Sequence, residues 1–387
     1  MRKLLLLGAS GNIGCQSLDI VAKNPSLFEL VGISVGNNVK VVPSIVERFP
    51  SISSVCVKNE EDVSDLKTLF PQLTFYHGND GLLSLISESN ADMVENALVG
   101  FVGLEPSLAT LRTNKILCLA NKESLVVGGE LINKILSSGL GTLYPIDSEH
   151  VALAKCLSKC KREDVKRLII TGSGGAFRNL SRKECSAVTP EAALKHPTWN
   201  MGPKITIDCA TMMNKGFEVI EAFYLFNFPL NQIDIVLHDE SMVHSAVELN
   251  DGTFIADVGV PDMHGPISYA LFEGQLPFEV QKGKSLEDFG SFHFRTFTPD
   301  RYPAVRICLD SLKNGGTAPA VLNAANEVAV NAFLQGKIPF LKIEKICCFV
   351  LSRIPNIMTP SLRQILTADS YARILAERYI SEVNSHA

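Results

Sequence analysis

Residues 3–22 read KLLLLGASGNIGCQSLDIVA, an apolar run broken by glycines and followed by a helical pattern. Lys3 to Leu7 forms a short strand, Gly8 to Gly14 a turn, and the helix continues through Ala22. Gly8, Gly11 and Gly14 stand three apart, a variant of the phosphate turn of dinucleotide-binding folds. Glycines there allow the tight turn and bring the backbone close to a pyrophosphate seated on the helix N-terminus. A glycine pattern alone is a weak signal, but between a strand and a helix it is a strong one. The opening residues mimic a secretory signal, yet the apolar run is short and breaks into glycines, so it reads as a buried first strand.

The next strand, Glu29 to Val35, ends in Gly36, Asn37 and Asn38, with Lys40 just beyond and no carboxylate to bind a free ribose hydroxyl. That leaves room for a 2′-phosphate and points to NADPH; the same three residues also read as a plain polar turn. Further strands are expected at Ser53 to Val57, Leu73 to Tyr76, Met93 to Leu98 and Lys115 to Ala120, with helical spacers between them. This alternation predicts a Rossmann-like, doubly wound parallel sheet over residues 1–146. Asn121, Lys122 and Glu123 fall at the C-terminal end of the last of these strands, on the rim where such sheets bind ligands.

Composition sets outer limits. The chain has 387 residues, 46% of them hydrophobic and 20% charged, as in a globular protein of two or three domains. A net charge of −5 with scattered basic residues gives no electrostatic case for nucleic acid. No apolar stretch is long enough to span a membrane. Ten cysteines without regular or zinc-like spacing predict reduced thiols and a cytoplasmic location.

The second part of the chain carries the chemistry. A strand at Thr142 to Ile146 delivers Asp147, Ser148 and Glu149 into a helix running towards Leu157. Two carboxylates at that junction suit a hard cation, although the same residues are also ordinary helix punctuation. Glu218 as a third oxygen ligand makes a Mg²⁺ or Mn²⁺ site reasonable. The strand Arg167 to Thr171 runs into Gly172, Ser173, Gly174 and Gly175, either a phosphate-binding nest or a flexible hinge. Residues 196–218, HPTWNMGPKITIDCATMMNKGFE, hold the only tryptophan, a Met-Gly-Pro turn, a strand expected at Lys204 to Asp208, and a helix start. Trp199 and its polar, glycine-bearing neighbours read as a mobile cover over residues 196–204. On the following helix Asn214, Lys215 and Glu218 share one side, with Met213, Phe217, Ile220 and Tyr224 as the adjoining apolar stripe. An amide, an ammonium and a carboxylate at a helix N-terminus suit a phosphorylated ligand.

Strands at Ile233 to His238, Met242 to Leu249 and Thr253 to Val258 predict an antiparallel α+β layer, so that residues 147–274 form a catalytic domain. His238, His244 and His264 share no helical spacing and read as structural. Residues 275–303 read as a linker, and residues 304–387 as a C-terminal helical bundle, with helices from Thr317, at about Ile343 to Ser352 and at Asp369 to Val383.

Several motifs in order, GASGNIG, ANKESLV, PIDSEH, TGSGGAFR, the stretch ending MMNKGFE, PDMHGPISYAL and GGTAPAVLNAANEVAV, resemble 1-deoxy-D-xylulose 5-phosphate reductoisomerases over nearly the whole chain. The resemblance implies NADPH contacts at Ser10, Gly11, Asn12, Ile13, Gly36, Asn37, Asn38, Asn121, Glu123 and Gly202. It implies a divalent metal, Mg²⁺ or Mn²⁺, on Asp147, Glu149 and Glu218. Substrate contacts would be Lys122, Ser148, Glu149, Ser173, His196, Asn214, Lys215 and Glu218, with Trp199 on the lid; Lys122 and His196 would join the metal ligands as catalytic groups. The implied reaction is rearrangement and NADPH-dependent reduction of 1-deoxy-D-xylulose 5-phosphate to 2-C-methyl-D-erythritol 4-phosphate, in a homodimer sensitive to the metal-chelating inhibitor fosmidomycin. Three departures stand out. Cys209 occupies a position where the family usually has a phosphate-binding serine, Pro203 replaces a basic lid residue, and Asn37 replaces a lysine near the 2′-phosphate. Two rival readings are a dinucleotide-sensing protein without chemistry and a plain NADP-dependent dehydrogenase of a phosphorylated aldehyde or ketone.

Overall fold

The computed structural model describes residues 1–199, 201–276 and 284–385. The chain divides into two compact units, one of Met1–Ser124, Leu131–Ser148 and Asp262–Lys282, the other of Leu125–Glu130, Glu149–Pro261 and Gly283–Ala387.

The first unit is built on seven parallel strands: β1 (Arg2–Leu7), β2 (Phe28–Ser34), β3 (Ser54–Val57), β4 (Thr74–His77), β5 (Met93–Asn96), β6 (Ile116–Leu119) and β7 (Thr142–Pro145). Their order, β4-β3-β2-β1-β5-β6-β7, reverses direction between β1 and β5, which places the switch point at the C-terminal ends of those two strands. Leu4, Leu5, Leu6 and Leu7 are all fully buried because helices cover both faces of a parallel sheet. Leu4 and Leu6 pack with Ile20, Ile33 and Ile267, whereas Leu5 and Leu7 pack with Val31, Leu85 and Val94.

One boundary differs from the sequence expectation, which assigned everything from 147 to 274 to the catalytic domain. The helix His264–Leu271 buries Ile267, Ala270 and Leu271 in the core of the first unit, so its segment belongs there. That packing is non-local, and local periodicity carries no trace of it.

The second unit holds a five-stranded sheet of β8 (Val165–Gly172), β9 (Ile233–His238), β10 (Val243–Leu249), β11 (Phe254–Val258) and β12 (Phe294–Thr296), ordered β11-β10-β8-β9-β12. The sheet is mixed rather than antiparallel, since β8 and β9 run parallel and the helix Met213–Phe226 lies between them in the chain. β12 pairs with β9 inside the stretch expected to be a linker, of which residues 277–283 lie outside the described part. Helices at Pro303–Asn314, Ala318–Leu334, Lys342–Arg353 and Leu362–Ser385 complete the unit. The first of these begins before the expected start of helical sequence at Thr317, and its Pro303 lies in the first turn, where a missing N–H costs nothing.

The strand expected at Lys204 to Asp208 is instead part of a helix, Pro203–Thr211. Alternation of Ile205, Thr206 and Ile207 suggested β-structure. A glycine N-cap, proline in the first turn and a Lys204–Asp208 ion pair of 2.9 Å one turn apart decide for the helix. Met212 then adopts a left-handed conformation, φ 65°, and the chain restarts as the helix Met213–Phe226. Among the described residues no helix is long and apolar enough to cross a membrane.

Candidate active site

The helix Met213–Phe226 does not show the expected two-faced pattern. Every residue from Met213 to Ala222 is buried, Asn214, Lys215, Glu218 and Glu221 included, while Tyr224 is only partly covered. Charges on such a helix must be satisfied by one another or by a ligand. Asn214 Nδ2 donates to Glu218 Oε1 at 2.6 Å, and Lys215 Nζ lies 3.0 Å from Glu149 Oε1 while also pairing with Glu218 Oε2. The expected trio is thus assembled, and Glu149 joins it from the start of the helix Ser148–Leu157.

Two buried residues of this cluster were not singled out from the sequence. His150 is fully buried; its Nε2 donates to the Glu218 carbonyl at 2.9 Å, and its Nδ1 lies 3.8 Å from Glu221 Oε2. Their signal was available: His150 follows Glu149 directly, and Glu221 stands one turn beyond Glu218.

The glycine stretch after β8 serves close approach. A Cβ on Gly172 would meet Lys215 Cε at 2.9 Å, and one on Gly175 would meet the Cys209 carbonyl oxygen at 2.4 Å. Lys215 and the helix bearing Cys209 therefore come directly against this turn. Ser173 Oγ lies 3.2 Å from His196 Nε2. His196 Nδ1 accepts the backbone N–H groups of Thr198, at 3.3 Å, and Trp199, at 3.0 Å, which fixes the neutral tautomer with its proton on Nε2. Burial, with Arg178 and Lys215 nearby, lowers the pKa of His196 to about 4. The Trp199 ring is tilted against His244, 6.4 Å between centroids, so the segment expected to be a lid rests on β10. Gly202 is exposed at the start of the following helix, whereas Cys209 is partly covered within it. His238 is structural, accepting the N–H groups of Met242 and Val243 at 3.2 and 3.1 Å.

Within the first unit, Lys122 Nζ pairs with Asp147 Oδ2 at 2.5 Å. Asp147 and Glu149 flank Ser148, so the chain itself holds their Cα atoms within roughly 7 Å. Asp147, Glu149 and Glu218 are oxygen donors only, the set that suits Mg²⁺ or Mn²⁺ rather than a soft metal. Their charge exceeds that of the two lysines paired with them, so the residues fit a divalent cation.

The turn after β1 is also as its glycines require. Gly8 has φ 87°, and a Cβ there would meet the Ala97 oxygen at 2.7 Å; a Cβ on Gly14 would meet the Gly8 oxygen at 2.4 Å. Gly11 caps the helix Asn12–Lys23 without a side chain, so the positive end of the helix dipole lies at the turn. Gly11 and Asn12 are exposed, Ser10 and Ile13 partly so, and Gly36, Asn37 and Asn38 form an exposed rim after β2. These residues fit a dinucleotide. Asn121 is committed to the protein: its Oδ1 accepts from Ser124 N, and its Nδ2 donates to the carbonyls of Leu98 and Gly100 and to Glu123. The sequence reading overlooked the loop these carbonyls belong to, where Val99 is 74% exposed just beyond β5 at the switch point. An apolar residue straight after a central strand was the available clue.

Sequence families described as 1-deoxy-D-xylulose 5-phosphate reductoisomerase and as its C-terminal domains match residues 4–129, 143–226 and 258–375. A 1-deoxy-D-xylulose 5-phosphate reductoisomerase 2 of Bacillus thuringiensis subsp. konkukian is 45% identical over 374 residues, 96% of this chain and 98% of its own length. The chain belongs to the 1-deoxy-D-xylulose 5-phosphate reductoisomerase family. A reductoisomerase of Exiguobacterium sibiricum is 44% identical over 96% of this chain and 97% of its own. The reductoisomerase of Zymomonas mobilis, solved in complex with NADPH, superposes with a TM-score of 0.90 at 38% identity, covering 98% of this chain and 99% of that one. A second reductoisomerase, solved with NADPH, fosmidomycin and magnesium, gives 0.92 at 33% identity over 99% of both chains.

Proposed function

We propose that this chain rearranges 1-deoxy-D-xylulose 5-phosphate and reduces the product with NADPH to 2-C-methyl-D-erythritol 4-phosphate, an early step in making isoprenoid precursors. One observation carries the assignment of residues: a helix buried on all sides brings Asn214, Lys215 and Glu218 together with Glu149. Buried charge of that kind suits polar ligands.

Asp147, Glu149 and Glu218 would hold the divalent ion, and the turn Ser10–Ile13 with Gly36, Asn37 and Asn38 would hold the cofactor, with Asn121, Glu123 and Gly202 nearer its reacting end. When bound, the ion supplies Lewis acidity at the substrate's ketone and neighbouring hydroxyl, and NADPH supplies the hydride. Lys215, Asn214 and Ser173 bind the phosphate, which anchors the substrate so that its reactive end is oriented. Cys209 offers only a weak sulfur donor there, so the phosphate leans on these three. His196, neutral and donating from Nε2, orients Ser173 and ties down the segment carrying Trp199, which excludes water. Lys122 places positive charge beside Asp147 and the reacting oxygens, and Ser148 contacts the substrate from the same junction.

NADPH oxidation with saturating 1-deoxy-D-xylulose 5-phosphate, with and without Mn²⁺, tests this on the wild type and on Glu218→Gln. Metal-dependent turnover should fall by at least about a hundredfold in the variant while NADPH affinity stays unchanged, as expected for loss of a metal ligand. NADPH binding without turnover in any metal would leave a sensor. Oxidation without skeletal rearrangement would leave a plain dehydrogenase. A cytoplasmic homodimer is part of the same reading, and sedimentation at micromolar concentration checks the dimer.

A further inference from the structure

Glu95, on β5, is fully buried between Leu6 of β1 and Cys118 of β6, and no step above uses it. Its Oε1 lies 2.5 Å from Ser17 Oγ, while its Oε2 has no hydrogen-bond partner among the described residues. Ser17 belongs to the helix Asn12–Lys23, and its Oγ also lies 3.0 Å from the Ile13 carbonyl oxygen. A hydroxyl has one hydrogen, and the carbonyl can only accept it. If Ser17 donates to Ile13, the short contact with Glu95 needs a hydrogen on the carboxyl. Ser17 Oγ can donate its one hydrogen to Glu95 Oε1 or to the Ile13 carbonyl, and only a protonated Glu95, donating to Ser17 in turn, leaves that hydrogen for Ile13.

We infer that Glu95 is a positioning residue for the cofactor, holding the first turn of the nucleotide helix through Ser17 only while it is a neutral acid. This rests on the reading above that Gly11 to Ile13 hold NADPH. An ionised Glu95 takes the hydrogen of Ser17 for itself, and the Ile13 carbonyl loses its side-chain bond in the turn that meets the phosphates.

The surroundings agree. Burial raises the Glu95 pKa to about 8, the Ser17 contact opposing it, and no lysine or arginine among the described residues offsets its charge. The neighbouring titratable group on β6 is Cys118, whose thiol is pushed up by burial and then by Glu95 and Glu273. Glu273 in turn pairs with Arg2 at 2.5 Å, and Tyr144 on β7 is raised by burial and by Glu273 and Cys118. The helix Asn12–Lys23 presents Ser17 to the carboxyl. A folded-state pKa above the unfolded value means that the contribution is complete at low pH and is lost as pH rises through about 8.

The test is the NADPH dissociation constant, from cofactor fluorescence without substrate or metal, measured from about pH 6.5 to pH 9. Wild type should weaken by about tenfold across the upper half of that range, the limit for one ionisation. Glu95→Gln, whose amide also donates to Ser17 but does not titrate, should hold its affinity flat. Ser17→Ala should bind weakly at neutral pH and lose the pH dependence. Parallel profiles in wild type and Glu95→Gln overturn the inference. So does an alkaline gain in thermal stability for Glu95→Gln with no change in NADPH binding, because that is a purely structural role. Gly14→Ala separates the two readings, since its Cβ would strike the Gly8 carbonyl. If that variant binds NADPH normally, the assignment of the turn fails and takes this inference with it; if it loses NADPH while Glu95→Gln keeps the wild-type profile, only the inference fails.

Discussion

Lys215 faces two carboxylates at once, and its aliphatic stem runs along the face of Gly172. An ammonium so held compensates Glu149 and Glu218 and leaves them with less net charge than a bare acidic pair. A cation bound by those acids would release Lys215 to pair with an anion. His196 supplies the pH-dependent counterpart. Its folded pKa of about 4 lies below the ordinary value of 6.5, so the site holds it neutral at physiological pH. The associated stability is complete above about 6.5 and is lost as pH falls through about 4. On protonation Nδ1 can no longer accept the N–H groups of Thr198 and Trp199, and that segment should release. Proton-detected titration of the His196 ring, beside Trp199 fluorescence, should show both changes sharing one midpoint well below pH 6. A midpoint near the ordinary histidine value would contradict the geometry.

At the scale of elements, the helix Lys122–Ser137 breaks its regular geometry at Gly128, φ −132° and ψ 18°, and the next glycine explains where it is held. A Cβ on Gly129 would meet the Tyr224 ring at 2.3 Å, so the ring lies flat on bare backbone. Gly129→Ala should cost about 1–3 kcal/mol of stability through overpacking, measured by urea unfolding. Tyr224→Leu in the same background should recover part of it. Elements of this kind were only partly legible beforehand. The strands of the first unit were readable because parallel strands are apolar on both faces, as Leu4 to Leu7 are. Ile205 to Ile207 misled because β-branched residues favour strands only weakly, and the cap, the proline and the Lys204–Asp208 pair outweighed them. β12 escaped notice because three exposed residues at a sheet edge carry no burial pattern. In the candidate site, the meeting of Asn214, Lys215 and Glu218 on one helix was legible from residue type and spacing. His150, Glu221 and Glu95 were not, since their importance lies in what non-local packing puts beside them.

For the whole molecule, the carboxylate set predicts a stability that depends on metal. An ion that binds only the folded state adds about 2.7 kcal/mol at a hundred times its dissociation constant. Mg²⁺ or Mn²⁺ should raise the thermal midpoint by several degrees, EDTA should reverse the shift, and Glu218→Gln should abolish most of it in calorimetric scans without substrate. Equal midpoints with and without metal would argue against ligation by Asp147, Glu149 and Glu218. The ten cysteines are all free thiols in the structure.

The helix Met213–Phe226 carries a last consequence. Because residues Met213 to Ala222 have no solvent face, their backbone amides cannot trade hydrogen for deuterium by fraying at one exposed side. Exchange there waits for the unit to open as a whole. The slowest amides of the protein should therefore lie in this stretch, and any substitution that loosens the unit, however distant, will register first as faster labelling at Asn214, Lys215 and Glu218.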